Sequence, residues 1–191
     1  MKKILLITLI IIIIGGIGYL IYKATSEKTE TIVPTTTTAS VTTIQNITED
    51  PKNATYLIGN DSFTLVNGKS EKIILPGSTA KTITQYFGND VKADFNGDGL
   101  IDTAFLLTQS SGGSGTFYYI AAVLGTQTGY KGTNAILLGD RIAPQTTGFQ
   151  NGEIIANYAD RKPGEPMTAR PSVGVSRYFK ISSNTLIETT K

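Results

Sequence analysis

From Lys52 onward, no stretch keeps an apolar period of 3.6 residues through three turns without a Gly, Pro or Asn interrupting it. A long packed helix is therefore not available to this part of the chain. What remains is a series of short apolar and β-branched runs separated by turn residues: 54–58, 62–66, 72–75, 82–87, 103–108, 117–124, 135–138, 153–158 and 173–181. Such spacing predicts a mainly β domain, a small antiparallel sandwich or a partly open barrel. One short helix is left room near Ser78 to Phe87. Asn67-Gly68, set between Phe63-Thr64-Leu65-Val66 and the run from Lys69 to Leu75, predicts a hairpin, because a type I′ turn needs positive φ at both central residues.

The N-terminal quarter has a different character. Lys2 and Lys3 precede an uncharged stretch from Ile4 to Tyr22, which as a helix is about 28 Å long and spans a bilayer core. It exceeds the usual apolar region of a cleaved signal peptide and shows no clear small-x-small cleavage site after it. The expected element is thus one N-terminal transmembrane helix that anchors the chain. The two lysines and the terminal amine keep that end cytoplasmic by the positive-inside bias. Residues 24–51 are Thr-rich, with Thr35 to Thr38 in one run beside Pro34, and have little with which to build a core. The expected organisation is therefore a cytoplasmic tip and anchor over 1–23, a stalk over 24–51 and an extracytoplasmic domain over 52–191. The setting is a single-pass protein of the cell membrane.

Composition removes several chemistries. The chain has neither His nor Cys, so it lacks the commonest general base, the commonest transition-metal ligands and any disulfide. Zinc chemistry and a Ser/His/Asp triad are excluded, and no catalytic residues are assigned. Seventeen basic and fifteen acidic residues give a net charge of +2. Neither sign gathers into a stripe, so nucleic acid is not an expected partner.

Chemistry concentrates in Asp94-Phe95-Asn96-Gly97-Asp98-Gly99-Leu100-Ile101-Asp102, where oxygen-bearing side chains recur at positions one, three, five and nine with Gly at six. Hard cations such as Ca²⁺ take six to eight oxygen ligands, and alternate residues of a tight loop can point inward together. Asp94, Asn96 and Asp98 would each give a side-chain oxygen, Leu100 its carbonyl, and Asp102 an oxygen directly or through water. Position twelve is Phe105, so the bidentate Glu of an EF-hand is missing and weak affinity follows, about 10⁻⁴ to 10⁻³ M. Read as a plain turn, the same Asp, Asn and Gly would serve local hydrogen bonds and positive φ. The segment from Val91 through Asp102 to Leu106 resembles the calcium loop of FG-GAP and VCBS-type repeats. That resemblance implies a loop set between two strands and a structural calcium ion.

Ser110-Ser111-Gly112-Gly113-Ser114-Gly115 lacks the Lys-Ser/Thr ending of a phosphate-binding loop and reads as a hairpin connection. The stretch from Tyr158 to Met167 holds charge between two prolines, with Arg170-Pro171 just after. Rigid exposed loops often carry binding, which makes Tyr158, Arg161, Glu165 and Arg170 the candidate contact residues. Read plainly, this is a solvated, ion-paired loop bracing the sheet. Gly113 to Tyr119, Leu137 to Gln145 and Asn157 to Met167 together resemble an uncharacterised family of exported or membrane-anchored bacterial proteins, some with an added META-type or lysozyme-inhibitor-like domain. The resemblance implies an envelope setting.

The expected function is a tethered extracytoplasmic binding or structural module, not an enzyme, whose partners are the membrane and an envelope protein or polymer. The alternatives are a hydrolase-inhibitor-like protein that inserts the Asp160 to Met167 loop into a cleft, and a hydrolase using carboxylates at the Asp94 loop.

Overall fold

The structure is a computed structural model that describes residues 50–190. The expected anchor over 1–23 and nearly all of the stalk over 24–51 lie outside the described residues. No helix of the described residues is long and apolar enough to cross a membrane. Their helical content is a single 3-10 turn at Pro51–Asn53, whose first amide bonds the Asp50 side chain.

Twelve strands follow: β1 Thr55–Ile58, β2 Asp61–Thr64, β3 Lys69–Ile73, β4 Lys81–Ala93, β5 Asp102–Ser110, β6 Phe117–Thr126, β7 Gly129–Gly132, β8 Asn134–Asp140, β9 Ala143–Gln150, β10 Glu153–Asp160, β11 Val173–Ser182 and β12 Thr185–Thr189. One sheet runs in the order β2-β1-β8-β6-β5-β4-β3, with β7 also paired to β6. The other is the meander β12-β11-β10-β9. The first sheet curls until its edge strands β2 and β3 flank a common cavity, and Lys72 of β3 reaches Asp61 of β2 at 2.8 Å. The architecture is therefore a nearly closed barrel with a second sheet laid on its side.

This layering explains why β5 and β6 read as unbroken apolar runs. Both strands are buried on both faces, as strands covered on two sides must be. Phe105, Leu107, Tyr119, Ala121 and Val123 point into the barrel beside Tyr56 and Leu65. Their alternates Ala104, Leu106, Ile120 and Ala122 pack outward against Ile154, Ala156, Tyr158, Phe179 and Leu186 of the second sheet. Polar links cross between the sheets as well. Asn134 of β8 accepts from Leu186 N at 2.8 Å and donates to Leu186 O at 2.9 Å.

Several expectations need correction. Asn67 and Gly68 do adopt positive φ, +52° and +83°, and Val66 bridges Lys69 across the turn. Beyond it, however, β2 and β3 diverge and pair with β1 and β4 respectively. The hairpin stops at its first bridge because each arm finds a partner elsewhere. No helix forms near Ser78 to Phe87, where β4 begins at Lys81. That strand continues to Ala93 through register shifts at Gly88 and Asn89, whose positive φ marks a bulge and not a strand end. The pairing is antiparallel except between β1 and β8, which run parallel. Strands β7, β9 and β12 carry too few alternating apolar residues to be read from sequence.

Candidate functional site

The Asp94 loop joins β4 to β5 and is organised by its own backbone donors. Asp94 Oδ1 accepts from Gly97 N at 2.7 Å and Asp98 N at 3.1 Å, and its Oδ2 accepts from Gly99 N at 2.8 Å. The Gly99 amide first, then those of Gly97, Asp98 and Asn96, holds the Asp94 carboxyl below its ordinary range despite partial desolvation. Asn96 Oδ1 accepts from Asp98 N at 3.0 Å, and Asp98 Oδ1 accepts from Leu100 N at 2.8 Å. Gly97 and Gly99 sit at φ of +80° and +84°, where a side chain would be strained.

Asp102 behaves differently from the other carboxylates. It is fully buried at the start of β5. Its Oδ2 accepts from Phe95 N and its Oδ1 from Gly125 N, both at 2.9 Å. It thereby ties both ends of the loop to the end of β6. Burial pushes this carboxyl up, the two amides oppose the shift, and the charges of Asp98 and Asp94 push it further up. Phe95 is buried between the sheets with its ring 5.0 Å from that of Phe149, which fixes the loop's first turn on the core. Beside the loop, Leu100 and Ile101 form one wall of a cleft of about 260 Å³ whose other wall is the turn from Gly125 to Tyr130.

The structure thus brings Asp94, Asn96, Asp98 and Leu100 onto one tight turn. Asp102 is buried behind that turn at the start of β5, both oxygens engaged by backbone amides. In kind, the donors suit a hard cation, since all are oxygens, although Asp94 Oδ1 already accepts two amides. In position, they bond the loop's own amides. Among the described residues, no three acidic side chains are gathered closely enough to hold a metal ion.

The candidate contact loop separates into unlike parts. Tyr158 is only 3% exposed and lies in the core between the sheets, with its hydroxyl donating to Leu138 O at 3.3 Å. A surface contact role does not fit it, because β10 alternation turns its side chain inward. Arg161 braces the loop from within. Its Nε donates to Ala169 O at 2.7 Å and its Nη1 to Arg141 O at 3.0 Å and Asp140 O at 3.3 Å. Glu165 Oε2 accepts from Lys162 N at 3.0 Å, closing the turn around Pro163 and Gly164. Arg170 is exposed and makes no hydrogen bond or ion pair among the described residues.

Sequence reading missed the inter-sheet bonds of Asn134 and the anchoring role of Asp102. Both depend on which strands become neighbours, and no local spacing carries that signal. Comparisons with protein families, with curated proteins and with solved structures found no match to this chain.

Proposed function

We propose that this chain is a membrane-tethered, extracytoplasmic binding or structural module whose Asp94 loop takes a structural calcium ion. The observation that carries the reading is the loop itself: Asp94, Asn96 and Asp98 share one glycine-permitted turn between two strands. The charges of Asp94 and Asp98 also press on a third, buried carboxylate. A cation relieves that repulsion, whereas a turn alone does not require it. Asp94, Asn96, Asp98 and the Leu100 carbonyl would hold the ion, with Asp102 as the anchor behind them. The ion would supply stabilisation and no chemistry, about 0.4 to 1.4 kcal/mol at one to ten times Kd.

The tether rests on Lys2, Lys3 and the apolar stretch from Ile4 to Tyr22. Arg170 and the half-exposed Met167, on a loop braced by Arg161, favour the hydrolase-inhibitor reading as the second choice.

The test uses the full chain in detergent, melted with millimolar calcium and with a chelator. A higher midpoint in calcium, abolished by Asp98→Ala, is the expected result, and an unchanged midpoint overturns the calcium reading. Because the chain has no Cys, Gln127→Cys in an exposed turn reports on topology. It should react with a membrane-impermeant maleimide added outside intact cells, and labelling only after lysis removes the extracytoplasmic assignment.

A further inference from the structure

We propose that the mouth of the barrel, between β2 and β3, binds a small neutral hydroxylated ring, a ligand of monosaccharide size. The inference rests on the barrel alone and is independent of the Asp94 loop.

Down the inside of the barrel, β5 presents Phe105 and Leu107 to the apolar core. The next residue on that face is Gln109. Strand register places Thr84 of β4 opposite Gln109, and Ser70 of β3 opposite Thr84. Three adjacent strands therefore contribute a polar side chain at the same level, where an ordinary core would continue apolar. They face a cavity of about 270 Å³. An apolar cavity of about 150 Å³ suffices for benzene, so this one has room for a substituted six-membered ring.

The hydrogen-bonding capacity of this row is only partly used. Gln109 Nε2 donates to Thr84 Oγ1 at 3.1 Å. Thr84 is only 3% exposed and Gln109 is half-buried, so past this bond the Thr84 hydroxyl can still donate and the Gln109 carbonyl can still accept toward the cavity. Ser70, on the same cavity, adds a further hydroxyl. Across from the polar row, Ile58 and Phe63 supply an apolar wall suited to the C–H face of a ring.

Charge decides between ligand classes. The charged lining residues are Asp61 and Lys72, which pair with each other at 2.8 Å across the mouth. An anionic or cationic ligand would have to break that pair, whereas a neutral one leaves it intact. Donors, acceptors and an apolar wall with no net charge are the complement of a neutral polyhydroxylated ring.

The experiment is an NMR titration of the isotope-labelled full chain in a detergent without a sugar headgroup. The probes are the methyl glycosides of glucose and galactose, with cyclohexanecarboxylate and cyclohexylammonium as charged ring controls. The expected result is a saturable shift of the Gln109 side-chain amide and the Thr84 backbone amide with at least one glycoside. Saturation should fall in the millimolar range that ligands of this size reach at ordinary efficiency. Thr84→Val and Gln109→Leu should each weaken binding about tenfold, and Ser70→Phe, which fills the cavity, should abolish it. Should Ser70→Phe not fold, the two conservative variants decide. No saturable shift with either glycoside, tighter binding of a charged control, or binding that survives all three substitutions overturns the proposal.

Discussion

Arg177 of β11 grips Glu188 of β12 through two parallel bonds, Nε to Oε1 and Nη2 to Oε2, each 2.6 Å. The remaining donor, Nη1, reaches Leu137 O of the barrel sheet at 2.6 Å. The guanidinium also lies over the Phe179 ring, 5.5 Å from its centroid. One planar fork thus joins two strands of the second sheet and ties that sheet to the first. A lysine has the charge but not the fork, so it cannot make all three contacts. Arg177→Lys is therefore expected to cost about 1 to 2 kcal/mol, read as a lower urea midpoint at constant m. A midpoint unchanged within error would remove the clamp from the account of stability.

The same pair gives a pH dependence with a definite sign. The Arg177 hydrogen bonds hold the Glu188 carboxyl below its ordinary range. Glu71 is lowered to about 2 by hydrogen bonds from Lys69 and Lys81. A carboxyl depressed in the folded state stabilises fully above its unfolded pKa, about 4.3 for Glu, and loses that contribution as pH falls through the folded value. The gap in melting midpoint between wild type and Glu188→Gln should be widest at neutral pH and close below about pH 4. A gap that is constant or widens on acidification contradicts the assignment. Both carboxylates are solvent-accessible, so added salt should shrink the effect.

Much of the β content was legible because burial leaves a local trace. The runs at Thr103 to Thr108 and Phe117 to Leu124 became the two central strands, since a strand covered on both faces must be apolar throughout. The turn at Asn67-Gly68 was readable from its φ requirement. Where each arm then pairs was not, because β1 and β4 lie outside the hairpin in sequence and win through tertiary packing. β9 begins with Ala143-Pro144 at a sheet edge, where a missing amide donor is tolerated, so its sequence does not read as a strand. At the candidate site, spacing found the turn from Asp94 to Leu100. It grouped Asp102 with that turn but could not show that the chain re-enters the core at that residue, where both its oxygens accept backbone amides.

Among the described glycines, Gly132 has the least room for a side chain. A Cβ built on it would lie 2.1 Å from Thr55 O and 2.8 Å from the Tyr56 ring. Neither can retreat easily, because Tyr56 is fully buried and its hydroxyl donates to Pro51 O at 2.6 Å. Gly132→Ala is expected to lose about 1 to 3 kcal/mol through overpacking. Gly148 has ordinary φ and nothing within 4 Å of an added Cβ, so Gly148→Ala should be near neutral. Equal effects at the two positions would show that the close approach is not what constrains Gly132.

The final expectation separates anchor from turn within the Asp94 loop. Asp102→Ala leaves the Phe95 and Gly125 amides without their acceptor in a buried setting, at about 1 to 3 kcal/mol for each orphaned donor. Asp102→Asn keeps one acceptor oxygen and relieves the buried charge, so its loss should be smaller. Asp94→Ala frees amides at Gly97, Asp98 and Gly99, all exposed and open to water, so it should cost least of the three in the absence of calcium. Chemical denaturation in chelator measures the order. If Asp94→Ala proved the most damaging there, the hold on the loop would lie in its turn and not in the buried carboxylate that ties β4, β5 and β6 together.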